Sequence, residues 1–272
     1  MPELPEVETI ARELQAVLPG RGVRRVRIFR KDALQGVPVA RFQKGLEGRR
    51  FQAVRRRGKY LLFHLKPEAW LVAHLRMTGK FALTPRPDAP PLHHRVWFEL
   101  DDGAVLAFQD LRCLGTLELA GAPEAVPGVA AMGVEPLEPG FTRDWLAQAL
   151  SRSRAPLKHW LMHQGHIAGL GNIYVAEILF GAGLSPLRAA ATVTREEAAR
   201  LHQAVRRVLM RAIAKNGTTI SDYRRVDDKT GDFQNFLRVY GRAGQPCHTC
   251  RTPIQRVVQQ QRSTFYCPTC QR

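Results

Sequence analysis

The chain has 272 residues, with 44% hydrophobic and 24% charged side chains, a balance that builds packed cores and excludes wholesale disorder. Forty-one Lys and Arg against 24 Asp and Glu leave a formal charge of +17, which points to a polyanionic partner, nucleic acid before membrane. The acidic opening Met1-Pro2-Glu3 lacks the apolar segment of a signal peptide, and the uncharged stretch His159–Ala176 holds too many His, Gln, Asn and Gly for a span. No membrane association and a cytoplasmic location are therefore expected.

Val7, Ile10, Ala11, Leu14, Val17 and Leu18 form one apolar stripe at helical spacing, predicting a helix over residues 2–18 that Pro19-Gly20 ends. From 23 to 119 the pattern turns to short, partly alternating runs: Val23–Phe29, Phe51–Val54, Tyr60–Leu65, Trp70–Leu75, Arg95–Leu100, Val105–Phe108 and Thr116–Leu119. Turn residues separate them, which suggests a β-sandwich. Residues 121–140 are rich in Pro and Gly and are read as a linker. Helical patterns follow at Thr142–Ser151, Ala155–Gln164, Ile173–Phe180 and Arg195–Ala214, then a polar loop at Asn216–Gly231 and a distinct tail from Gly241. The expected fold is α+β: a catalytic helix and β-sandwich over 2–120, a linker over 121–140, a helical domain over 141–240 and a metal module over 241–272. Basic excess gathers at residues 21–60, net +12, and 205–272, net +9, two regions expected to flank one groove.

The tail reads Cys247-x2-Cys250-x16-Cys267-x2-Cys270. Two tight pairs joined by a hairpin-length spacer match a tetrahedral four-cysteine zinc site, and four protein ligands make it structural. One zinc ion is expected. Arg251, Arg256 and Arg262 lie on the same hairpin with Phe265 and Tyr266, a pattern suited to phosphate contacts. Cys113 stands apart and is read as a small buried apolar residue rather than a reactive thiol.

Pro2 follows the initiator Met, and removal of Met1 would expose a secondary amine beside Glu3 and Glu6. A terminal amine titrates near about 7.7–8.0, so a neutral, nucleophilic fraction exists at physiological pH. Glu3 would supply acid–base catalysis, and Glu6, one helical turn on, would hold the helix start or the amine. The competing reading is proline and acids at a helix start as favourable capping. The residues alone favour capping.

Five motifs reverse that balance. MPELPEVETI at the start, GKY at 58–60, HLRMTG at 74–79, GLGNIY at 169–174 and QRSTFYC-x2-C at 261–270 together resemble the bacterial formamidopyrimidine-DNA glycosylases, from residue 2 to the end of the chain. The resemblance implies a bifunctional glycosylase and abasic-site lyase for 8-oxoguanine and formamidopyrimidines, acting as a monomer on double-stranded DNA, through a Schiff base and β,δ-elimination. The implied fold is a β-sandwich joined to a helix–two-turn–helix domain and a zinc finger.

Carried over residue by residue, Pro2 is the nucleophile, Glu3 the acid–base, Glu6 a positioning acid, and Lys59 a cation near the lesion. Met77, Arg112 and Leu114 match side chains inserted where the damaged nucleotide is flipped out. Lys158, Asn172, Arg262 and His74 match phosphate contacts, and the segment Gly217–Phe233 matches a loop that closes over the flipped base. The chain departs from the family at 110–115, which reads Asp-Leu-Arg-Cys-Leu-Gly where Asp-Pro-Arg-Arg-Phe-Gly is common. Two other readings remain: an endonuclease VIII-like enzyme for oxidised pyrimidines, and a non-catalytic zinc-finger protein that binds damaged DNA.

Overall fold

The computed structural model describes residues 1–220, 223–226 and 228–272. Ser221, Asp222 and Asp227, in the segment expected to close over a flipped base, lie outside the described residues. The chain divides into two compact units, residues 1–131 with 215–232, and residues 132–214 with 233–272. This partition departs from the boundaries read in the sequence: it splits the 121–140 stretch and returns the loop after residue 214 to the first unit.

In the first unit, helix α1 spans Leu4–Val17. It starts two residues later than the stripe predicted, because Glu3 is extended and acts as N-cap, in a capping box with Glu6. Leu4, Val7, Ile10, Ala11 and Leu14 are buried, whereas Val17, counted in the stripe, is 38% exposed.

Among the described residues of this unit, nine strands form two sheets. Strands β1 (Val23–Ile28), β7 (His94–Leu100), β8 (Ala104–Asp110) and β6 (Gly79–Pro85) lie in that order in one sheet. The other runs β2 (Leu34–Gln35), β9 (Thr116–Ala120), β5 (Ala69–His74), β4 (Tyr60–Lys66) and β3 (Arg50–Arg57). A chain of rings crosses the core: Phe51 and Phe63 of the five-stranded sheet lie 6.0 Å apart, Phe63 meets Phe81 of β6 at 5.1 Å, and Phe81 meets Phe108 of β8 at 5.2 Å. Edge-on and tilted aromatic contacts of this kind pin two sheets face to face. Strand β6 was not among the predicted runs; only Phe81, Ala82 and Leu83 in it are apolar, too few to show a period of two.

Register then places the loops. Tyr60 pairs with His74, His74 with Thr116, and Gly79 with Asp110. Turns 58–59, 75–78 and 111–115 therefore leave the sandwich at one end. Helix α1 lies against β3, with Gln15 Oε1 accepting the Val54 N–H at 2.6 Å and Glu8 paired to Arg56 at 2.8 Å. Its residue numbers fall as those of β3 rise, so its N-terminus points to that same end.

The stretch 121–131 is more than an extended connection. After the short helix α2 (Val39–Lys44), residues Pro127–Ala130 form the short helix α3, and Val126 and Val129 are buried with Leu62 and Val72 of the five-stranded sheet.

The second unit contains α4 (Arg143–Ser151), α5 (Leu157–Met162), α6 (Asn172–Ala182), α7 (Arg195–Ala214) and a hairpin of β10 (Gln255–Gln259) and β11 (Arg262–Tyr266). Helix α6 packs on α5, α7 and β11. It is apolar almost all round, as a helix enclosed by neighbours must be, and ends at Gly183, which takes the left-handed C-terminal position at φ +72°. The exception is Glu177, 4% exposed. Its carboxylate accepts the backbone N–H groups of Arg238, Val239 and Tyr240 at 2.8, 3.0 and 2.9 Å, which fixes the chain entering the cysteine module. Burial raises its pKa and those three bonds lower it. Replacing Glu177 with Ala would leave three inward-facing donors unpaired. We expect a loss of about 3 kcal/mol in urea unfolding of the zinc-loaded protein, and a loss below about 0.5 kcal/mol would contradict this role.

Candidate nucleic-acid interface and active site

The first unit gathers the candidate catalytic residues at the loop end of its sandwich. Pro2 is buried, and Glu3 and Glu6 are 3% and 1% exposed. Glu6 divides its carboxylate: Oε2 accepts the Glu3 N–H at 2.8 Å, and Oε1 accepts the Thr218 N–H at 2.7 Å. The capping box that starts α1 thus also holds the backbone next to Pro2. Further along α1, Glu13 accepts the Val226 N–H at 2.9 Å and pairs with Arg225. Thr218, Arg225 and Val226 are therefore held to α1 by two carboxylates seven positions apart.

Lys59 occupies the two-residue turn between β3 and β4, whose first residue, Gly58, has φ +54°. A glycine at this place suits the turns that match strand twist. Lys59 is 6% exposed, and its charge reaches His74, which it helps to keep neutral. His74 is 7% exposed, meets the Tyr60 ring edge-on at 4.6 Å, and takes the Arg76 N–H on Nδ1 at 3.0 Å. That bond leaves the ring proton on Nε2. Burial foremost, then Arg76 and Lys59, push the His74 pKa down to about 3.

Met77 is half-buried, and Arg112 and Leu114 are exposed. Their loop is organised by Asp110, 1% exposed, which the motif comparison passed over. Its Oδ2 accepts the N–H groups of Leu114 and Gly115, both at 2.7 Å, and its Oδ1 accepts Arg112 N–H at 3.2 Å and the Thr78 hydroxyl. Thr78 in turn accepts Arg112 N–H at 3.0 Å, tying the Met77 turn to the Arg112 loop. An Asp that opens a turn and collects the following N–H groups is a recognisable sequence signal. Cys113 lies at the crest, partly exposed with φ +54°, and not in a core as expected.

In the second unit, Lys158 and Asn172 converge on the hairpin. Lys158 is 1% exposed and donates to Ser263 O at 3.1 Å and to Thr264 Oγ1 at 2.6 Å; Asn172 Nδ2 donates to Ser263 O at 3.0 Å. Burial, with repulsion from Arg262, lowers the Lys158 pKa to about 8. Arg262 is exposed at the start of β11, where Gln260 and Gln261 close the hairpin at φ +46° and +59°.

The four cysteines form a closed cluster with every Sγ within 4.8 Å of the others, including Cys247–Cys270 at 3.9 Å and Cys250–Cys267 at 3.4 Å. A tetrahedron of thiolates about 2.3 Å from zinc has edges of about 3.8 Å. The donor set fits one structural zinc ion, with Cys247, Cys250, Cys267 and Cys270 as its ligands.

Three family models match the chain: the formamidopyrimidine-DNA glycosylase N-terminal domain over residues 1–117, its H2TH domain over 132–224, and the zinc finger found in FPG and IleRS over 244–272. Among curated relatives, the formamidopyrimidine-DNA glycosylase of Symbiobacterium thermophilum is 46% identical over all of this chain and 89% of its own length. The chain belongs to the formamidopyrimidine-DNA glycosylase family. The namesake from Pelotomaculum thermopropionicum is 41% identical over all of this chain and 99% of its own.

Solved structures of family members superpose along the whole length. The MutM (FPG) protein of Thermus thermophilus gives a TM-score of 0.89 at 42% identity, covering 99% of this chain and 98% of its own. The Lactococcus lactis Fpg bound to abasic-site DNA gives 0.92 at 32% identity, covering 99% of each. A mutant of the latter bound to Fapy-dG DNA gives 0.93 at 32% identity, again covering 99% of each. Among the described residues no helix is long and apolar enough to cross a membrane.

The neutral His74 has a measurable signature. Folded His74 titrates near 3, against about 6.5 in the unfolded chain. Between those values only the unfolded chain binds the proton, so His74 makes stability rise with pH, by up to ~1.4 kcal/mol per unit. The stability gap between the parent and His74→Gln should therefore shrink as pH falls from 6.5 towards 4. A gap independent of pH in urea titrations would show that His74 is charged in the fold.

Proposed function

We propose that the chain is a bifunctional DNA glycosylase and abasic-site lyase that removes oxidised purines from double-stranded DNA, working as a monomer through the amine of Pro2. The observation that carries this reading is the buried Glu6 carboxylate, shared between Glu3 N–H and Thr218 N–H beside Pro2. Helix capping alone needs only the first of those bonds. A damaged-DNA-binding protein without chemistry has no need of an ordered, enclosed N-terminus. The relatives' names and the Fapy-dG complex favour oxidised purines over pyrimidines.

With Met1 removed, the neutral Pro2 nitrogen attacks C1′ of the flipped nucleotide. The glycosidic bond breaks, and the base leaves with its bonding pair and takes up the proton that the Pro2 nitrogen gives up. Glu3 protonates the ring oxygen as the sugar opens, which leaves an iminium on Pro2. That cation acidifies the neighbouring carbon, and loss of its proton expels the 3′ phosphate; a second elimination expels the 5′ phosphate. Glu6 positions the amine, and Lys59 offers a charge to the phosphates or the departing base. With Met1 retained, the Pro2 nitrogen is an amide and has no available pair.

Flipping costs a few kcal/mol. Met77, Arg112 and Leu114 are the side chains proposed to fill the vacated stack, with Arg112 facing the orphaned base. Asn172 and Arg262 are proposed to hold phosphates. Asn172 retains a second amide proton beyond the one given to Ser263. Buried Lys158 acts by fixing the hairpin that presents Arg262, and His74, being neutral, acts as an Nε2–H donor. Zinc holds the hairpin and takes no part in the chemistry.

Borohydride should trap a covalent complex with an 8-oxoguanine duplex. Pro2→Glu, whose large second side chain keeps Met1 in place, should abolish it. Loss of trapping with Met1 demonstrably absent from the parent would overturn the reading. Leu114 stacks less well on a base than an aromatic ring, by about 1–3 kcal/mol, so discrimination of the base opposite the lesion should be weak. Leu114→Phe should raise the ratio of 8-oxoguanine excision opposite C to that opposite A by about tenfold. A strong preference for C in the parent would sink this prediction.

A further inference from the structure

A cavity of about 260 Å³ in the second unit has no part in the chemistry above. Its walls are Phe180 of α6, Val208 of α7, and Phe233 and Phe236 from the turn after residue 232. Three arginines surround it: Arg207, Arg211 and Arg238, all exposed. The Arg211 guanidinium lies 4.7 Å from the centre of the Phe236 ring, and that of Arg238 lies 6.0 Å from Phe180. Arg207 gives one N–H to Gly181 O at 3.1 Å. Among the described residues none of the three forms an ion pair within 4.0 Å. Phe180 is eight residues along α6 from Asn172, about 12 Å by helical rise, so the cavity is separate from the proposed phosphate contact.

We propose that this cavity is a docking site for an acidic peptide segment of a partner protein, which inserts one large apolar side chain between the arginines. Size supports a single side chain, since the volume falls below the usual range for small-molecule sites. Wall chemistry argues against a nucleobase. The one polar group in the lining besides the guanidiniums is Glu177, both of whose oxygens are taken by backbone N–H groups. A base placed there would leave its own donors and acceptors unpaired. Charge distribution supports a chain over a lone carboxylate: Arg207 and Arg211 stand one turn apart on α7, Arg238 comes from a different segment, and several acids flanking one apolar residue can reach all three. The guanidiniums already stacked on the phenylalanines are held where such acids would meet them.

The test uses the full-length, zinc-loaded protein and the fluorescence anisotropy of a fluorescein-labelled peptide with aspartates on both sides of a single phenylalanine. Saturable binding is expected. It should weaken by about tenfold or more when the phenylalanine is replaced by serine, and likewise in the protein with Arg207→Glu and Arg211→Glu. Val208→Trp, which fills the cavity and leaves the arginines in place, should remove the phenylalanine-dependent part. Borohydride trapping on a damaged duplex should be unchanged in both protein variants. Three results would overturn the proposal: no saturable binding, binding indifferent to the phenylalanine or to the two arginines, or displacement of the peptide by a thymidine oligonucleotide that itself loses affinity in the arginine variant.

Discussion

The Glu6 carboxylate, 1% exposed, is the constraint on which the proposed chemistry depends. A buried anion must be matched by donors, and here they include two backbone N–H groups, Glu3 beside the proposed nucleophile Pro2 and Thr218, 212 residues away in the chain. Because neither donor can be supplied by a rotating side chain, satisfying Glu6 fixes two backbones at once. The same physics recurs at Asp110, which orders the loop bearing Arg112 and Leu114, and at Glu177, which orders the chain leading into the cysteine module. Glu6 and Asp110 thus fix the backbone of segments whose side chains are proposed to act on DNA, and Glu177 fixes the chain entering the cysteine module.

The charge of +17 has a different meaning in the fold than in the count. Much of the excess in residues 21–60 is answered by acids from elsewhere in the first unit. Arg21 pairs with Asp102, Arg24 and Arg27 with Glu99, Arg50 with Asp101, and Arg56 with Glu8. Arg49 spends donors on the carbonyls of Gly45 and Glu68. These pairs contribute little stability where exposed, but they withdraw guanidiniums from the population available to phosphates. The salt dependence of DNA binding should follow the residues left over rather than the composition.

What could be read from the sequence was whatever has a local signature. The α1 stripe, most strands, the four longer helices and the cysteine spacing depend on neighbours within a few positions, and the motifs marked Pro2, Glu3 and Lys59 by resemblance. What escaped depends on partners far along the chain. Strand β6 forms because β8 offers an edge to it, with Gly79 against Asp110. The Glu177 bonds span 61 to 63 residues and end on backbone N–H groups, which every residue but proline possesses and no sequence pattern announces. Val126 and Val129 looked like linker residues because their helix is a single turn, too short to show a period. Cys113 looked like core because cysteine usually is, and a turn held by Asp110 exposed it instead.

The central claim is that one uncharged amine at Pro2 does the covalent chemistry, with the buried acids behind it. The most direct measurement is proteolysis and mass spectrometry of the borohydride-trapped complex formed on an 8-oxoguanine duplex. The account predicts the reduced sugar remnant on the peptide that begins at Pro2, joined to its nitrogen. A remnant on a lysine side chain, such as that of Lys59, would contradict it.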